Sequence, residues 1–486
     1  MAHLARLPWY EVATGALFLL ASFYAFYVLT ESPPTWYDEG LYIQVAQSIS
    51  ERGNQTLQVA PGEYISSGFI TGGYPFLAPV ALSLSVLGDS LFSARLPMAL
   101  FILLFLCAAW GFVYKAFGRE AALLSLLLLA TLPLIYGNGK NVLGEVPGLF
   151  FLTISLYFLW RIEARNFAGV GSYIGAGLAA GLAVATKPLF LLLPGAIALA
   201  LLFRFRSVSF RFREIAAAGI AFALPVALWL FLQFGVGDRA GATLAYYANP
   251  YGIESLGEII LGNALRFATE ATPLYCAAFM LLWLAAFLLR LIRRERILLA
   301  EWTALAFSLL VLAAYLRTAG WYRYLFPALV LALLFAPSNL ATILDALRRF
   351  RPSFGSLFSR ALLIGACLGV GLLQLYQLNY SSWVAEHYES TAARELDAYF
   401  SMVSPGETLF VYNVPEAVPF IRSESYYQYI ATTETMVYGA AGLAALREGI
   451  PDRVIVSASD YAREAPLFAR YIPAGQLGSY LSLARK

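Results

Sequence analysis

Of the 486 residues, 60% are hydrophobic, 15% aromatic and only 13% charged, with a mean hydropathy of +0.68. Soluble globular chains carry about a quarter charged residues, so this composition excludes a cytosolic enzyme, a nucleic-acid binder and a disordered protein. The apolar residues gather into stretches of about 20, the length that a helix needs to cross a bilayer. The sequence therefore predicts a polytopic membrane protein. The net charge of +3 becomes informative only when the charged residues are assigned to the individual loops between spans.

Hydropathy, helix-breaking residues and the positions of charged residues predict eleven membrane spans. Arg6 precedes the first span and acidic residues follow it, and no small-residue cleavage site is present. We therefore expect a retained anchor rather than a removed signal peptide. The predicted spans cover residues 9–30, 92–115, 119–137, 146–161, 171–186, 188–204, 213–236, 272–292, 298–317, 324–344 and 361–380.

Basic residues collect in alternate loops, for example in the run from Arg204 to Arg213 and in that from Arg348 to Arg360. The positive-inside rule then predicts a cytoplasmic N-terminus, an odd number of spans and an exported C-terminal segment. The expected location is the plasma membrane of a prokaryote. We divide the chain into a transmembrane catalytic domain, 1–383, and a soluble extracytoplasmic α/β domain, 384–486.

Two exported loops are too long to be simple connectors. In the loop 31–91, the run Glu39–Glu51 has the spacing of an amphipathic surface helix that stops at Gly53, and Pro75–Leu87 is apolar but too short to span. The loop 237–271 includes Tyr247. Its tyrosines either lie at the headgroup level or belong to a lid over a site.

The segment after the last span has the composition of a soluble domain. Residues 408–413 and 453–457 read as strands, and a third strand is expected at 480–484. Residues 391–403 and 459–471 have helical periodicity.

Adjacent acids follow the first span in the motif WYDEGLY, as Asp38 and Glu39. One interpretation is structural, because acids in the first turn of a helix offset its dipole and cap free amides. The other is functional, because two carboxylates among three aromatic residues beside a membrane are costly. A histidine metal site and a Ser-His-Asp triad are not expected, because the sequence has only His3 and His387 and neither has a partner at ligand spacing.

Further candidates lie at the expected outer ends of other spans. Glu145 opens the fourth span in GKNVLGEVP and could form a local ion pair with Lys140. Lys187, in ATKP, either snorkels to the interface or receives a phosphate. Arg323 opens the tenth span in GWYRYLFP, six residues after Arg317.

These acids and cations together predict a site with a base and an anion clamp at the membrane surface. Pumps and channels instead place charges midway along their spans, and the predicted spans are nearly free of them. The parts suit transfer from a lipid phosphate, in which cations stabilise the leaving phosphate and a carboxylate deprotonates the attacking group.

The order of these motifs resembles the GT-C superfamily of polyprenyl-phosphate-sugar glycosyltransferases, in the branch of protein O-mannosyltransferases and lipid A aminoarabinose transferases. The resemblance covers residues 1–345 and only loosely the soluble tail. The segments that carry it are Tyr37-Asp38-Glu39, Gly73-Tyr74-Pro75, Ala94-Arg95-Leu96-Pro97, Glu145-Val146-Pro147, the stretch Gly181 to Lys187, and Arg323-Tyr324 with Pro327.

The resemblance implies an all-α GT-C-like membrane fold and an inverting transfer on the extracytoplasmic side. Asp38 would be the base, which chemistry alone does not rank above Glu39, and Glu39 would orient the acceptor or Asp38. Glu145 would be a further acidic site residue, and Lys187 and Arg323, with Arg317 as a less constrained candidate, would hold the donor phosphate. We expect substrate contacts from six tyrosines, namely Tyr37, Tyr42, Tyr74, Tyr322, Tyr324 and Tyr247.

The expected partners are a polyprenyl-phosphate sugar, a glycan, lipid or protein acceptor, and membrane lipids, with no nucleic acid, metal or cofactor. The chain departs from the family at Gly73, where a Lys/Arg-Pro-Pro motif is usual, and it lacks the large lumenal insertion of eukaryotic O-mannosyltransferases. Two alternatives stay open: a transporter or flippase of a lipid-linked saccharide, and a non-catalytic scaffold whose exported domain binds a partner.

Overall fold

The structure, a computed structural model, describes residues 9–203, 211–234, 255–351, 355–404, 406–431 and 437–486. Its larger part is a bundle of apolar helices joined by short turns. The bundle helices in this part of the chain are α1 (Trp9–Phe26), α4 (Leu91–Phe117), α5 (Arg119–Ala130), α6 (Pro133–Gly139), α7 (Glu145–Ala164), α8 (Val170–Thr186), α9 (Leu192–Phe203), α10 (Phe212–Phe234), α11 (Leu256–Thr269), α12 (Ala271–Ile292), α13 (Leu299–Tyr315), α14 (Tyr322–Phe350) and α15 (Ser356–Tyr380).

Each of the eleven predicted spans coincides with an apolar helix or a broken pair of helices. Among the described residues, seven helices are long and apolar enough to cross a membrane, and the pair α5–α6, bent by 61°, makes an eighth. The helices α8, α9 and α13 are shorter, so the count of eleven stays a prediction. The chain is an integral membrane protein with a mostly helical fold.

The bundle is closely packed where glycines meet backbone. A Cβ atom on Gly177 would lie 2.1 Å from the carbonyl oxygen of Ala218, and one on Gly181 would lie 2.4 Å from that of Phe222. The small residues of α8 therefore let α10 approach its backbone, as the spacing of these glycines indicates.

The first long loop folds into two helices and a hairpin. Helix α2 (Tyr37–Arg52) ends at Gly53, whose φ of +71° is a left-handed conformation that glycine adopts without a Cβ penalty. Helix α3 (Tyr74–Leu87) matches the predicted short apolar run. Strands β1 (Thr56–Ala60) and β2 (Glu63–Ser66) form an antiparallel hairpin between them that the sequence analysis missed.

The C-terminal segment forms a six-stranded mixed sheet with helices. The central strand β3 (Leu409–Tyr412) is parallel to both neighbours, β4 (Tyr426–Ala431) and β6 (Arg453–Ser457). The sheet order is β5-β4-β3-β6-β8-β7. The remaining elements are α16 (Ala392–Met402), β5 (Val437–Tyr438), α17 (Ala440–Glu448), α18 (Ala458–Arg463), β7 (Tyr471–Leu477) and β8 (Tyr480–Arg485).

The C-terminal sheet region packs directly on α2. The sequence predicts it to be soluble, and we call it the soluble domain. Gly40 lies so close to the turn after β3 that a Cβ would be 2.3 Å from the carbonyl oxygen of Pro415. Gln44 Nε2 donates to the same carbonyl at 3.3 Å, and Tyr37 Oη donates to Asn413 Oδ1 at 3.1 Å. Helix α2 therefore lies between the bundle and the soluble domain, and we call this the domain-side end of the bundle.

Candidate active site

Asp38 lies in the first turn of α2, and its side chain is 27% exposed. Its Oδ2 accepts a hydrogen bond from Arg323 Nη1, which α14 contributes from its first turn. The helix begins at Tyr37 and its N-cap residue is Trp36, so Asp38 is not the capping residue. The ion pair instead joins two segments that are 285 residues apart in the sequence.

Glu39, the next residue, has a different environment. Its carboxylate is fully buried and receives Arg95 Nε and Nη2, both at 2.7 Å. It also accepts the backbone N–H groups of Trp36 at 3.2 Å and Val142 at 3.0 Å. Both oxygens are therefore bonded to protein, and the helix-capping interpretation describes Glu39 rather than Asp38.

Two buried cations fix the chain that leads into α2. Arg95 Nη1 donates to the carbonyls of Leu29 at 2.9 Å and Pro33 at 2.8 Å. Lys140 Nζ donates to the carbonyls of Tyr27 at 2.7 Å and Ser32 at 3.0 Å. The local ion pair that Lys140 and Glu145 could form is not present, because Lys140 Nζ donates to these backbone carbonyls instead.

The partner of Glu145 is Lys187, whose Nζ donates to Glu145 Oε1. Both side chains are buried, with exposed fractions of 1% and 6%. They meet because the start of α7 packs against the end of α8: a Cβ on Gly144 would lie 3.0 Å from the carbonyl oxygen of Thr186. Lys187 is therefore not a snorkelling side chain, and Glu145 Oε2 is buried without a hydrogen-bond partner among the described residues.

Tyr42 links the two ion pairs. It is 2% exposed, and its hydroxyl is 2.6 Å from Thr71 Oγ1. Burial raises the pKa of Tyr42 well above its ordinary value; the negative charges of Asp38 and Glu145 raise it further, while Arg323 lowers it. All three charged groups therefore act on one buried phenol, which indicates that the two ion pairs lie near each other. We refer to the candidate site formed by these side chains as the pocket.

Aromatic rings contact Arg323, and side chains of α11 bind the turn that precedes it. Its guanidinium lies 4.4 Å from the ring centre of Trp321, and Nη2 is 3.4 Å from Tyr324 Oη. The turn before it is bound by α11, because Asn263 Nδ2 donates to the Thr318 carbonyl at 2.7 Å and Arg266 Nη1 donates to the Gly320 carbonyl. Gly320 has a φ of +76°, which a residue with a side chain rarely adopts.

The other predicted residues are less central. Tyr37 binds the soluble domain, Tyr74 is partly buried at the start of α3, and Tyr322 Oη donates to Glu270. Arg317 is exposed in the turn after α13, and it is Arg323 that reaches Asp38. Tyr247 lies outside the described residues.

Gly73 shows why the family's cation is missing from this position. Its N–H donates to the Thr186 carbonyl at 3.2 Å, and a Cβ would lie 1.8 Å from the Ala185 carbonyl oxygen. Any side chain here would displace the end of α8 that carries Lys187. The close approach thus leaves Lys187 and Arg323 as the cations of the pocket.

The soluble domain contributes an acid that the sequence analysis missed. Glu416 follows β3 in the turn packed on Gly40, accepts Tyr480 Oη at 3.1 Å through Oε1, and has a buried Oε2 without a partner among the described residues. Burial raises its pKa to about 7, with further small contributions from Asp460 and Asp38. No motif marks Glu416, because only the docking of the domain brings it towards α2.

A separate polar cleft of about 580 Å³ lies between α2 and the soluble domain. Gln44, Gln47, Ser48 and Glu51 line it, and their spacing places them on another face of α2 than Asp38. Among the described residues, no group of three His, Cys, Asp or Glu side chains is arranged to hold a metal ion.

Known proteins match both the sequence and the fold. The model of the dolichyl-phosphate-mannose-protein mannosyltransferase family matches residues 75–231. The lipopolysaccharide core galacturonosyltransferase RgtA of Rhizobium johnstonii is 27% identical over 299 residues. That match covers 57% of this chain, and the chain spans only 58% of the length of this relative.

Solved structures match nearly the whole chain. ArnT from Cupriavidus metallidurans, bound to undecaprenyl phosphate, has a TM-score of 0.65 and 16% identity, covering 99% of this chain and 98% of that one. The oligosaccharyltransferase AglB from Archaeoglobus fulgidus, in complex with an inhibitory peptide and a dolichol-phosphate, has a TM-score of 0.57 and 14% identity, covering 98% and 74%.

The fold and the site together define a polytopic membrane protein with an acid–cation pocket beneath a small α/β domain. With these matches, the chain is similar in sequence and in fold to glycosyltransferases of the GT-C superfamily, the family that its motifs resemble. The relatives that match are glycosyltransferases.

Proposed function

We propose that the chain is a membrane glycosyltransferase that moves a sugar from a polyprenyl phosphate to an acceptor hydroxyl or amine. The observation that carries this proposal is the arrangement of two ion pairs near Tyr42, Asp38 with Arg323 and Glu145 with Lys187. The matched structures of ArnT with undecaprenyl phosphate and AglB with a dolichol-phosphate support a polyprenyl-phosphate donor.

Lys187 and Arg323 hold the donor phosphate in this proposal. The phosphate gains negative charge as its bond to the sugar breaks, so fixed cations stabilise the transition state more than the bound donor. No acid is needed to protonate the leaving group, since the phosphate departs as an anion. In the absence of donor, Glu145 keeps Lys187 in position.

Asp38 is the base. Its carboxylate takes the proton of the acceptor while the acceptor oxygen or nitrogen forms a bond to the anomeric carbon and the bond from that carbon to the phosphate oxygen breaks. Attack opposite the phosphate inverts the configuration. Glu39 is a positioning residue here, because its two oxygens are occupied and its contacts with Arg95 and Trp36 fix the start of α2.

We infer that the pocket and the soluble domain are extracytoplasmic, with a cytoplasmic N-terminus in the plasma membrane of a prokaryote. The support is the concentration of arginines in the loops at the other end of the bundle. Acceptors are a glycan, a lipid or a protein hydroxyl, and the name of RgtA favours a saccharide.

Donor consumption by the purified protein in detergent tests this function. A panel of undecaprenyl-phosphate sugars, including mannose and galacturonic acid, is incubated with an envelope lipid extract as acceptor, and release of undecaprenyl phosphate is measured. Asp38→Asn should retain undecaprenyl phosphate binding but lose turnover by a factor of about 100 or more, because the base is gone.

The matched control is Asp345→Asn, which removes an exposed acid paired with Arg348 near the other end of α14 and should leave turnover unchanged. A flippase consumes no donor when there is no membrane to cross, so donor release excludes that alternative. Wild-type turnover in Asp38→Asn would refute the role of Asp38. Deletion of 384–486 that left turnover intact would separate the soluble domain from catalysis.

A further inference from the structure

Both cations assigned to the donor phosphate are already paired with both acids of the same pocket. The side chain of Arg323 is 10% exposed and bonded to Asp38, and that of Lys187 is 6% exposed and bonded to Glu145. The charge of each cation is already balanced by a carboxylate, so a phosphate that binds here competes with these pairs. The pocket without donor is therefore electrically balanced, with two negative and two positive side chains.

We propose that the donor phosphate binds by exchange, taking Arg323 from Asp38 and Lys187 from Glu145, so that the two acids are released only when donor is present. The proposal rests on the proposed function, since it assumes a polyprenyl phosphate at these cations. It assigns the acids a role before the chemical step, as counter-ions that occupy the phosphate site.

Unsatisfied atoms in the pocket support this exchange. Arg323 Nε and Glu145 Oε2 are both buried and have no hydrogen-bond partner among the described residues. An arginine fork can bind an anion through two parallel N–H groups, and Asp38 engages only one of its terminal nitrogens. A phosphate offers more acceptor oxygens than a single carboxylate oxygen, so it can satisfy a donor that Asp38 leaves unmet.

The neighbouring pair of Glu39 and Arg95 shows what a pair without exchange looks like. There both carboxylate oxygens accept arginine N–H groups and backbone N–H groups, and both side chains are fully buried. Among the described residues, no buried side-chain atom of this pair lacks a hydrogen-bond partner, in contrast to Arg323 Nε and Glu145 Oε2 in the two pairs around Tyr42.

This exchange determines the order in which the donor and the acceptor bind. The Asp38 oxygen that accepts Arg323 Nη1 is occupied while this ion pair lasts. When the phosphate takes the arginine, that oxygen becomes an acceptor for the next substrate. The donor therefore binds first and the acceptor second.

Binding of undecaprenyl phosphate to the purified full chain in detergent tests the exchange through quenching of tryptophan fluorescence, since Trp321 lies beneath Arg323. Asp38→Asn and Glu145→Gln remove a competing negative charge and leave the cation, so each should bind undecaprenyl phosphate about tenfold tighter than the wild type. Arg323→Gln should bind about tenfold more weakly.

Glu407→Gln is the matched control for Asp38→Asn, because the Glu407 side chain is 28% exposed, against 27% for Asp38, and pairs with Arg453 at 2.6 Å in the soluble domain. It should leave the affinity unchanged. Equal or weaker binding by Asp38→Asn and Glu145→Gln, with normal thermal unfolding, would overturn the exchange while leaving the donor assignment intact. If Asp38→Asn does not fold, Glu145→Gln decides alone. Absence of binding by the wild type would refute the donor class, and the exchange with it.

Discussion

The two ends of α7 carry buried glutamates with different hydrogen bonding. Glu145 and Glu163 stand 18 residues apart on this helix, which corresponds to about 27 Å. Each is 1% exposed. Glu163 uses both oxygens, accepting Arg296 Nε at 3.0 Å and the N–H of Leu299 at 2.7 Å, whereas Glu145 leaves Oε2 without a partner among the described residues.

Other ion pairs at the two ends of the bundle differ in the same way. At the end where Glu163 lies, both oxygens of Glu301 accept hydrogen bonds from nitrogens of Arg290. At the domain-side end, Asp38 is partly exposed and receives one nitrogen of Arg323. A buried acid with both oxygens bonded to protein fixes helices, whereas an acid with spare capacity beside a pocket is available to a substrate. Within α2, Glu39 belongs to the first kind and Asp38 to the second.

The largest expected effect separates Glu39 from Asp38 by stability. Glu39→Gln leaves Arg95 as a buried charge without its counter-ion, and such a loss costs about 3–5 kcal/mol. Asp38→Asn should cost less than Glu39→Gln, since the side chain of Asp38 is 27% exposed and water can reach the pair. Thermal unfolding of both variants in detergent measures the difference, and equal destabilisation would break the distinction between structural and functional acids.

A smaller, pH-dependent effect is expected at Glu416, the acid of the soluble domain with an unpaired oxygen. Its pKa rises from 4.5 to about 7 on folding, so its contribution to stability is fully present below 4.5 and is lost as the pH rises through 7. Glu416→Gln removes this penalty and should stabilise the protein by about 1–2 kcal/mol at about pH 8.

Unfolding of Glu416→Gln and the wild type at a series of pH values checks this expectation. The two curves should converge below about pH 4.5, where the carboxyl is neutral in both states. Glu448→Gln, which replaces an exposed acid at the end of α17, is a control from the same domain. A constant offset between Glu416→Gln and the wild type at all pH values would contradict the buried, ionisable character of Glu416.

The smallest effect concerns the ring beneath Arg323. Trp321→Leu removes a cation–π contact worth about 0.5–1 kcal/mol and should weaken undecaprenyl phosphate binding about threefold. Isothermal titration measures this change without relying on tryptophan fluorescence. Tyr64→Leu is the matched control, because Tyr64 makes the same kind of contact with Arg52 in the polar cleft, 3.5 Å from ring centre to guanidinium, and should leave the affinity unchanged.

Much of the membrane fold was predictable because apolar length is a local property. The predicted helical run Glu39–Glu51 lies within α2, although α2 is mostly buried between the bundle and the soluble domain and does not lie on a surface. The short apolar run Pro75–Leu87 is α3. The hairpin of β1 and β2 was not predicted, since its residues are polar and its strands are short. In the soluble domain, β6 was predicted at its observed bounds, whereas β4, β5, β7 and α17 were missed.

The sequence predicted which charged residues belong to the candidate site, but it did not predict which acid pairs with which cation. Sequence distance favoured Lys140 as the partner of Glu145, yet Lys187 occupies that place because α7 and α8 pack together at this end. Arg95 stood in a recognised motif without a role, and only the fold shows that it neutralises Glu39. The proximity of Asp38 and Arg323 also depends on packing between distant helices.

The sequence by itself determined the class of the protein, because hydropathy and the scarcity of charges report directly on the surrounding solvent. It also identified the residue types that a phosphate-dependent transfer needs, since those types have fixed charges. Only the tertiary structure decided which charge neutralises which. Neighbours such as Asp38 and Glu39 project about 100° apart on a helix and meet different partners. Those partners determine which acid is structural and which is open to a substrate.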